Sequence, residues 1–181
     1  MKEDIKSMTL PELTTWMSAL GEKGFRAKQL YNWMHKNLVS SFDEMTNLSG
    51  ALKSKLKKQA DFVVLTPVDV RISSIDGTRK YLFRLQDGNV IESVLMRYRF
   101  GNSVCISTQV GCRMGCRFCA STLDGLVRSL RPSEMLEQIY RIQKDIGERI
   151  SNVVLMGSGE PFDNTENVFR FLDLISCEEG L

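Results

Sequence analysis

The 181 residues predict an α/β protein with a helical amino-terminal segment. Three observations carry that expectation. Apolar residues recur at helical spacing through residues 1–60, alternate with polar ones through 61–109, and then fall into a strand, loop, helix rhythm. A βαβα rhythm asks for parallel strands with helical crossovers, hence an α/β layer or barrel.

Leu10-Pro11-Glu12 reads as a helix start, with Leu13, Trp16, Met17 and Leu20 on one face and Gly21 as the stop. Leu30, Trp33, Met34 and Leu38 form a second apolar stripe, on which the lone histidine, His35, reads as a surface or packing residue. Ser49 caps a third helix that turns Leu52 and Leu56 inward and Lys53, Lys55, Lys57 and Lys58 largely outward. Val68 to Ile72 alternates as a strand. Asp76-Gly77 and Asp87-Gly88-Asn89 are turn signals on either side of a strand from Lys80 to Leu85. Val90 to Met96 and Val104 to Val110 complete the strand set of this segment. Pro132-Ser133 opens a helix that Gly147 ends, Asn152 to Met156 is a short strand, and Val168, Phe171, Leu172 and Ile175 mark a last helix. The expected division is 1–60, a helical accessory domain; 61–100, a β-meander or linker; and 101–181, the first βα units of a larger sheet or barrel. Two such units cannot close a barrel and leave an apolar parallel edge, so the chain is expected to be a fragment of something longer.

Composition narrows the function. Hydrophobic residues make up 43% and charged residues 25%, which excludes a disordered, collagen-like or coiled-coil chain. No apolar run approaches the length of a membrane span, and the start carries no apolar signal region, so a cytoplasmic protein without a membrane partner is expected. Charge is uneven. Residues 1–132 hold twenty basic and twelve acidic side chains, whereas residues 133–181 hold four and ten. The basic portion suits a polyanion, because neutralising phosphates releases counterions, but a solvated surface of mixed sign reads the same way.

Four of the five cysteines, Cys105, Cys112, Cys116 and Cys119, lie within 15 residues. That is a metal-binding or catalytic pattern rather than a disulfide framework. Cys112, Cys116 and Cys119 form a C-x3-C-x2-C run in the loop after a strand. Three thiolates this close suit one soft metal centre. An iron–sulfur cube held by three leaves one iron open. A structural zinc ion would want a fourth ligand, from Cys105 or Cys177, and the second C-x2-4-C arm usual for such sites is missing. A non-catalytic zinc-bearing nucleic-acid module is thus the competing reading. Further on, Met156-Gly157-Ser158-Gly159-Glu160-Pro161 places glycines and an acid just past a strand's carboxyl end, where α/β folds put ligands.

The cysteine run, with Phe118 before its last cysteine, resembles the cluster motif of the radical S-adenosylmethionine (SAM) superfamily. The glycine-rich stretch one βα unit later is similar to that superfamily's SAM-amino-binding motif. Cys105 to Cys112, Cys116 to Thr122 and Met156 to Pro161 together resemble the RlmN/Cfr family of adenine methyltransferases. So does the amino-terminal segment from Phe25 to Leu30 and from Met45 to Leu48. The resemblance extends over nearly the whole chain but over only the first half or so of a family member.

The resemblance implies the start of a partial (β/α) barrel, a [4Fe–4S] cluster and SAM. It implies 23S ribosomal RNA and transfer RNA as substrates, methylated at adenine C2, with C8 as the alternative. A reducing electron donor such as flavodoxin and a monomeric protein complete the picture. Adenine C2 is an unactivated aromatic C–H that cannot attack a methyl sulfonium, so a radical route through a methyl-cysteine makes chemical sense. By position, Cys112, Cys116 and Cys119 are the implied cluster ligands, and Gly159 and Glu160 the implied SAM-binding pair. Glu92 is the implied proton acceptor; burial between apolar neighbours without a partner would make it a stronger base. Cys105 is the implied cysteine that resolves the protein–RNA crosslink, on a strand whose Cys105, Ser107 and Gln109 would share a small polar face. Ser158 stands where the family more often has Met. The methyl-carrying cysteine belongs to the family's other half, and Cys177 does not match it, so these residues alone are expected to be inactive.

Overall fold

The computed structural model describes residues 2–178. They cluster into two compact units, Met1–Val63 with Arg170–Leu181, and Val64–Phe169.

In the first unit a short strand β1 (Glu3–Asp4) leads to helix α1 (Leu10–Ala19). Thr9 and Glu12 close a reciprocal capping box at its start, satisfying two donors that a helix leaves unpaired. Helix α2 (Gly24–His35) follows, then α3 (Gly50–Gln59), where the Ser49 hydroxyl accepts from the Leu52 amide at 3.2 Å. Strand β2 (Ala60–Asp61) returns parallel to β1. Leu13, Met17, Leu30, Met34, Leu52 and Leu56 are buried together, as their helical spacing requires. The two tryptophans only flank that core; the Trp33 indole donates to Asn47 Oδ1 at 2.6 Å. His35 is fully buried and its pKa falls to about 3, because burial disfavours the imidazolium and Lys6 adds positive charge.

The second unit is a five-stranded sheet in the order β3-β4-β5-β6-β9. Strands β3 (Thr66–Ile72), β4 (Arg79–Arg84), β5 (Val90–Tyr98) and β6 (Gly101–Cys105) run as an antiparallel meander. Both expected turns form, with Gly77 and Gly88 at positive φ. The boundary expected between residues 100 and 101 falls inside the β5–β6 hairpin, where Tyr98 pairs with Gly101. The meander and the βα units therefore share one sheet. A small hairpin of β7 (Gln109–Gly111) and β8 (Leu126–Ser129) follows, then helix α4 (Pro132–Ile146). Gly147 ends α4 in the left-handed conformation. Strand β9 (Ile150–Val154) lies parallel to β6, which makes β6-α4-β9 the crossover unit that the rhythm predicts. Helix α5 (Thr165–Ser176) begins in this unit, and its later turns group with the first.

Helix α4 covers one sheet face, where Tyr81, Phe83, Ile91, Leu95 and Val104 are buried. The Ser93 hydroxyl on that face donates to Gln138 Oε1 of α4 at 2.8 Å. The opposite face carries Asp69, Leu82 and Glu92 in one row and Val94 beside Cys105 in the next.

Two expectations need correction. The strand expected from Val104 to Val110 is two strands in different sheets, broken at 106–108. Its backbone groups there are taken by other partners. The Gly157 amide donates to the Ile106 carbonyl, the Thr108 and Gln109 amides donate to the Ser158 carbonyl, and the Leu130 amide donates to the Thr108 carbonyl. Cys105, Ser107 and Gln109 consequently do not lie on one strand: Cys105 ends β6 and is half-buried, Ser107 lies between strands, and Gln109 begins β7, the latter two fully buried. The strand expected over Asn152 to Met156 begins two residues earlier and ends at Val154, because the chain leaves the ladder to make those same contacts.

Candidate functional site

Parallel strands β6 and β9 end side by side, and the segments that follow them form the candidate site. The glycine-rich stretch packs directly on residues 106–109. A Cβ at Gly157 would stand 2.7 Å from the Ile106 carbonyl, and one at Gly159, whose φ is +101°, would stand 2.6 Å from the Gln109 side chain. Both glycines are therefore required by close approach, the role expected of them beside a ligand-binding strand end. The Ser107 hydroxyl accepts from the Ser158 amide at 3.0 Å and donates to the Glu92 carbonyl at 2.7 Å. Gln109 Oε1 accepts from the Glu160 amide at 3.0 Å, and the Glu160 carboxylate accepts from the Phe162 amide at 3.1 Å.

The cysteine loop bridges β7 and β8. Its base is closed by Gly111, where a Cβ would stand 2.0 Å from the Gly125 carbonyl, and by the Cys112 amide donating to that same oxygen at 3.0 Å. A tight turn carries the Cys119 amide onto the Cys116 carbonyl at 3.0 Å, with the Thr122 hydroxyl donating to the Cys119 carbonyl. Cys112 is buried, Cys119 half-buried and Cys116 exposed, and none is in a disulfide. Phe118 is 95% exposed. Among the described residues no three His, Cys, Asp or Glu side chains are already gathered as a ligand set. The donor chemistry nevertheless fits an iron–sulfur centre: three free thiols on one short loop whose base is anchored.

The two loops touch at two points. Ser121 and Ser158 hydroxyls lie 3.1 Å apart. Arg113, next to Cys112, forms a bidentate ion pair with Asp163, whose Oδ2 also accepts from Gln109 Nε2 at 3.0 Å. The guanidinium, and then the Gln109 amide, hold the Asp163 carboxyl below the usual range.

Sequence reasoning did not pick out the residues beneath the site. Gln138 on α4 is fully buried; its Oε1 accepts from the Ser107 amide and the Ser93 hydroxyl, and its Nε2 donates to the Ser107 carbonyl. Asn164 Nδ2 donates to the Thr108 and Leu130 carbonyls, both at 2.9 Å. Gln138 carried a readable signal, since it sits three residues after Met135 on the apolar stripe. Asn164 carried none.

Glu92 and Cys105 lie on the sheet face opposite α4. Cys105 lines an open cavity of about 660 Å³ with Val94, Met96, Ser103, Val154 and Met156. Burial raises its thiol pKa above the ordinary value; a bond involving the Met156 backbone opposes this, and the charge of Glu92 reinforces it. Glu92 is not the buried, unpartnered carboxyl expected from its apolar neighbours. Its side chain is 40% exposed and ion-paired with Lys80, in a cleft of about 280 Å³ with Asp69 and Arg71. Its neighbours in sequence point to the other face, as strand alternation demands.

Comparison with known proteins adds to this geometry. Residues 3–62 match the ribosomal RNA large subunit methyltransferase N-terminal domain, and residues 106–180 match the radical SAM superfamily. A probable dual-specificity RNA methyltransferase RlmN from Lachnospira eligens is 67% identical over 178 residues, covering 98% of this chain and 51% of the relative. Its namesake from Lachnoclostridium phytofermentans is 57% identical over 180 residues, again covering 51% of the relative. Both matched segments thus resemble those of RNA methyltransferases named RlmN, within the radical SAM superfamily. A crystal structure of a radical SAM methyltransferase from Sphaerobacter thermophilus superposes with a TM-score of 0.90 at 39% identity, covering 98% of this chain and 53% of that one. The radical SAM architecture is thus shared, and the chain spans about half the length of the curated relatives it matches. Among the described residues no helix is long and apolar enough to cross a membrane.

Proposed function

We propose that this chain is the N-terminal portion of a radical SAM RNA methyltransferase that modifies C2 of adenine in 23S ribosomal RNA and transfer RNA. The observation that carries the reading is the meeting of the cysteine loop and the glycine-rich loop, through Ser121 with Ser158 and Arg113 with Asp163, at the ends of adjacent parallel strands. When bound, a [4Fe–4S] cluster and SAM supply a carbon radical able to activate a C–H bond.

The chain's residues take the remaining roles. Cys112, Cys116 and Cys119 would hold the cluster, their three free thiols lying on one short loop. Gly159 and Glu160 hold the amino group of SAM. The Glu160 carboxylate attracts an ammonium, and Gly159 brings the backbone close. Glu92 takes the ring proton of the base, from a sheet face where its carboxylate is ion-paired with Lys80. Cys105, on the same sheet face, would release the product by forming a disulfide with the methyl-carrying cysteine of the family's other half, as the carbon–sulfur bond to the base breaks and its electron pair takes up a proton. The methyl-carrying cysteine has no counterpart among these residues, so the 181-residue chain is expected not to turn over by itself. On this reading we infer a cytoplasmic protein, since free thiols and an oxygen-sensitive cluster suit a reducing compartment, acting as a monomer served by a reducing donor such as flavodoxin.

Anaerobic reconstitution with iron and sulfide tests the assignment. The expected product is brown, bleached by dithionite, with an EPR signal that changes on addition of SAM. Alanine at Cys112, Cys116 or Cys119 abolishes it. Colourless protein holding one tight zinc ion overturns the reading.

A further inference from the structure

The Arg113–Asp163 pair has no place in the chemistry above, yet it spans the two loops on which that chemistry depends. Asp163 belongs to a short 3-10 turn (Pro161–Asn164) after the glycine-rich stretch, and its side chain is only 13% exposed. Its Oδ2 accepts from Arg113 Nε at 2.8 Å and from Gln109 Nε2 at 3.0 Å, and Arg113 Nη2 also donates to Oδ1. Gln109 is fully buried, with its other amide atom accepting from the Glu160 amide. The acceptor is therefore seated on a rigid base that is hydrogen-bonded to both loops' anchoring backbone. Arg113 follows the first cysteine of the loop, within the stretch that has no backbone restraint of its own between Cys112 and Cys116. A planar guanidinium meeting a carboxylate edge-on fixes orientation as well as distance, which a single point charge would not.

We propose that Arg113 and Asp163, seated on Gln109, form a latch that fixes the cysteine loop against the glycine-rich loop, with both residues acting as positioning groups outside the ligand set. The consequence for cluster retention rests on the reading given above; the coupling between loops does not.

Hydrogen exchange on the iron-free chain reads the coupling. Arg113→Gln and Asp163→Asn are each expected to speed amide exchange in both segments, 112–125 and 157–164, by about fivefold, while the β3–β5 meander stays unchanged. The charge-swapped pair, Arg113→Asp with Asp163→Arg, is expected to recover much of the protection, whereas Arg113→Lys recovers less because it lacks the fork. Acceleration confined to the mutated loop, or a swap no better than the single variants, overturns the latch. On the reconstituted protein, each single variant is expected to load iron as the parent does but to lose it to a chelator about fivefold faster. Coupled exchange with unchanged iron loss overturns the positioning role. A parent chain that takes up no cluster sinks the functional reading, and exchange then decides the latch alone.

Discussion

The two loops of the candidate site are built on opposite principles. The glycine-rich loop is held at nearly every residue: Gly157, Ser158 and Glu160 each donate a backbone hydrogen to residues 106–109, and two glycines allow contact that any Cβ would prevent. The cysteine loop is tied at its base, at one turn and through the side chains of Arg113 and Ser121, and Cys116 and Phe118 stand in the open. Folding thus sets the backbone of one loop residue by residue and leaves side chains of the other exposed. On the function proposed above, the first would recognise a small molecule through its backbone and the second would close thiolates around a metal centre.

The largest test of the contrast is Gly157→Ala. Its methyl would enter the backbone of Ile106 and Ser107, so a loss on the order of 4 kcal/mol or more is expected, read as insoluble protein or a collapsed melting temperature. Next, Gln138→Leu strips the Ser107 amide and carbonyl of their partner beneath the same loop, costing about 3 kcal/mol in chemical denaturation. By contrast Gly115→Ala in the cysteine loop meets nothing within 4 Å and adds only the left-handed strain at φ +70°, roughly 1–2 kcal/mol. Cys116→Ala is expected to leave the iron-free protein within about 0.5 kcal/mol of the parent while removing its metal content. A melting temperature of iron-free Gly115→Ala as low as that of Gly157→Ala would erase the distinction.

The smallest effect is kinetic. Cys116 is exposed and should be alkylated first, whereas Cys105 is half-buried with a raised pKa and should react several-fold more slowly at neutral pH. Raising the pH through the ordinary thiol range should leave Cys105 lagging, since its thiolate forms later. Glu92→Gln removes the nearby negative charge and should speed Cys105 labelling. An unchanged rate in that variant would separate the two residues electrostatically.

Much of the molecule was legible because its signals are local. The helices of the first unit follow from apolar spacing with Pro11, Ser49 and Gly21 at their ends, since terminal signals and side-chain period act within a turn or two. The cysteine spacing and the glycines of 157–159 also belonged to the sequence, because a shared ligand loop and a close approach each demand particular residue types in order. What the tertiary structure decided lies where distant segments compete for the same groups. The strand expected through Val110 breaks at 106–108 because Gly157, Ser158 and Leu130 take its hydrogen bonds, and period-two alternation cannot register a rival so far along the chain. Glu92 meets Lys80 across a strand, and Asp163 meets Arg113 across a crossover, by register and topology alone. Alternation says which face a side chain takes, but only the folded sheet says which charge is waiting there.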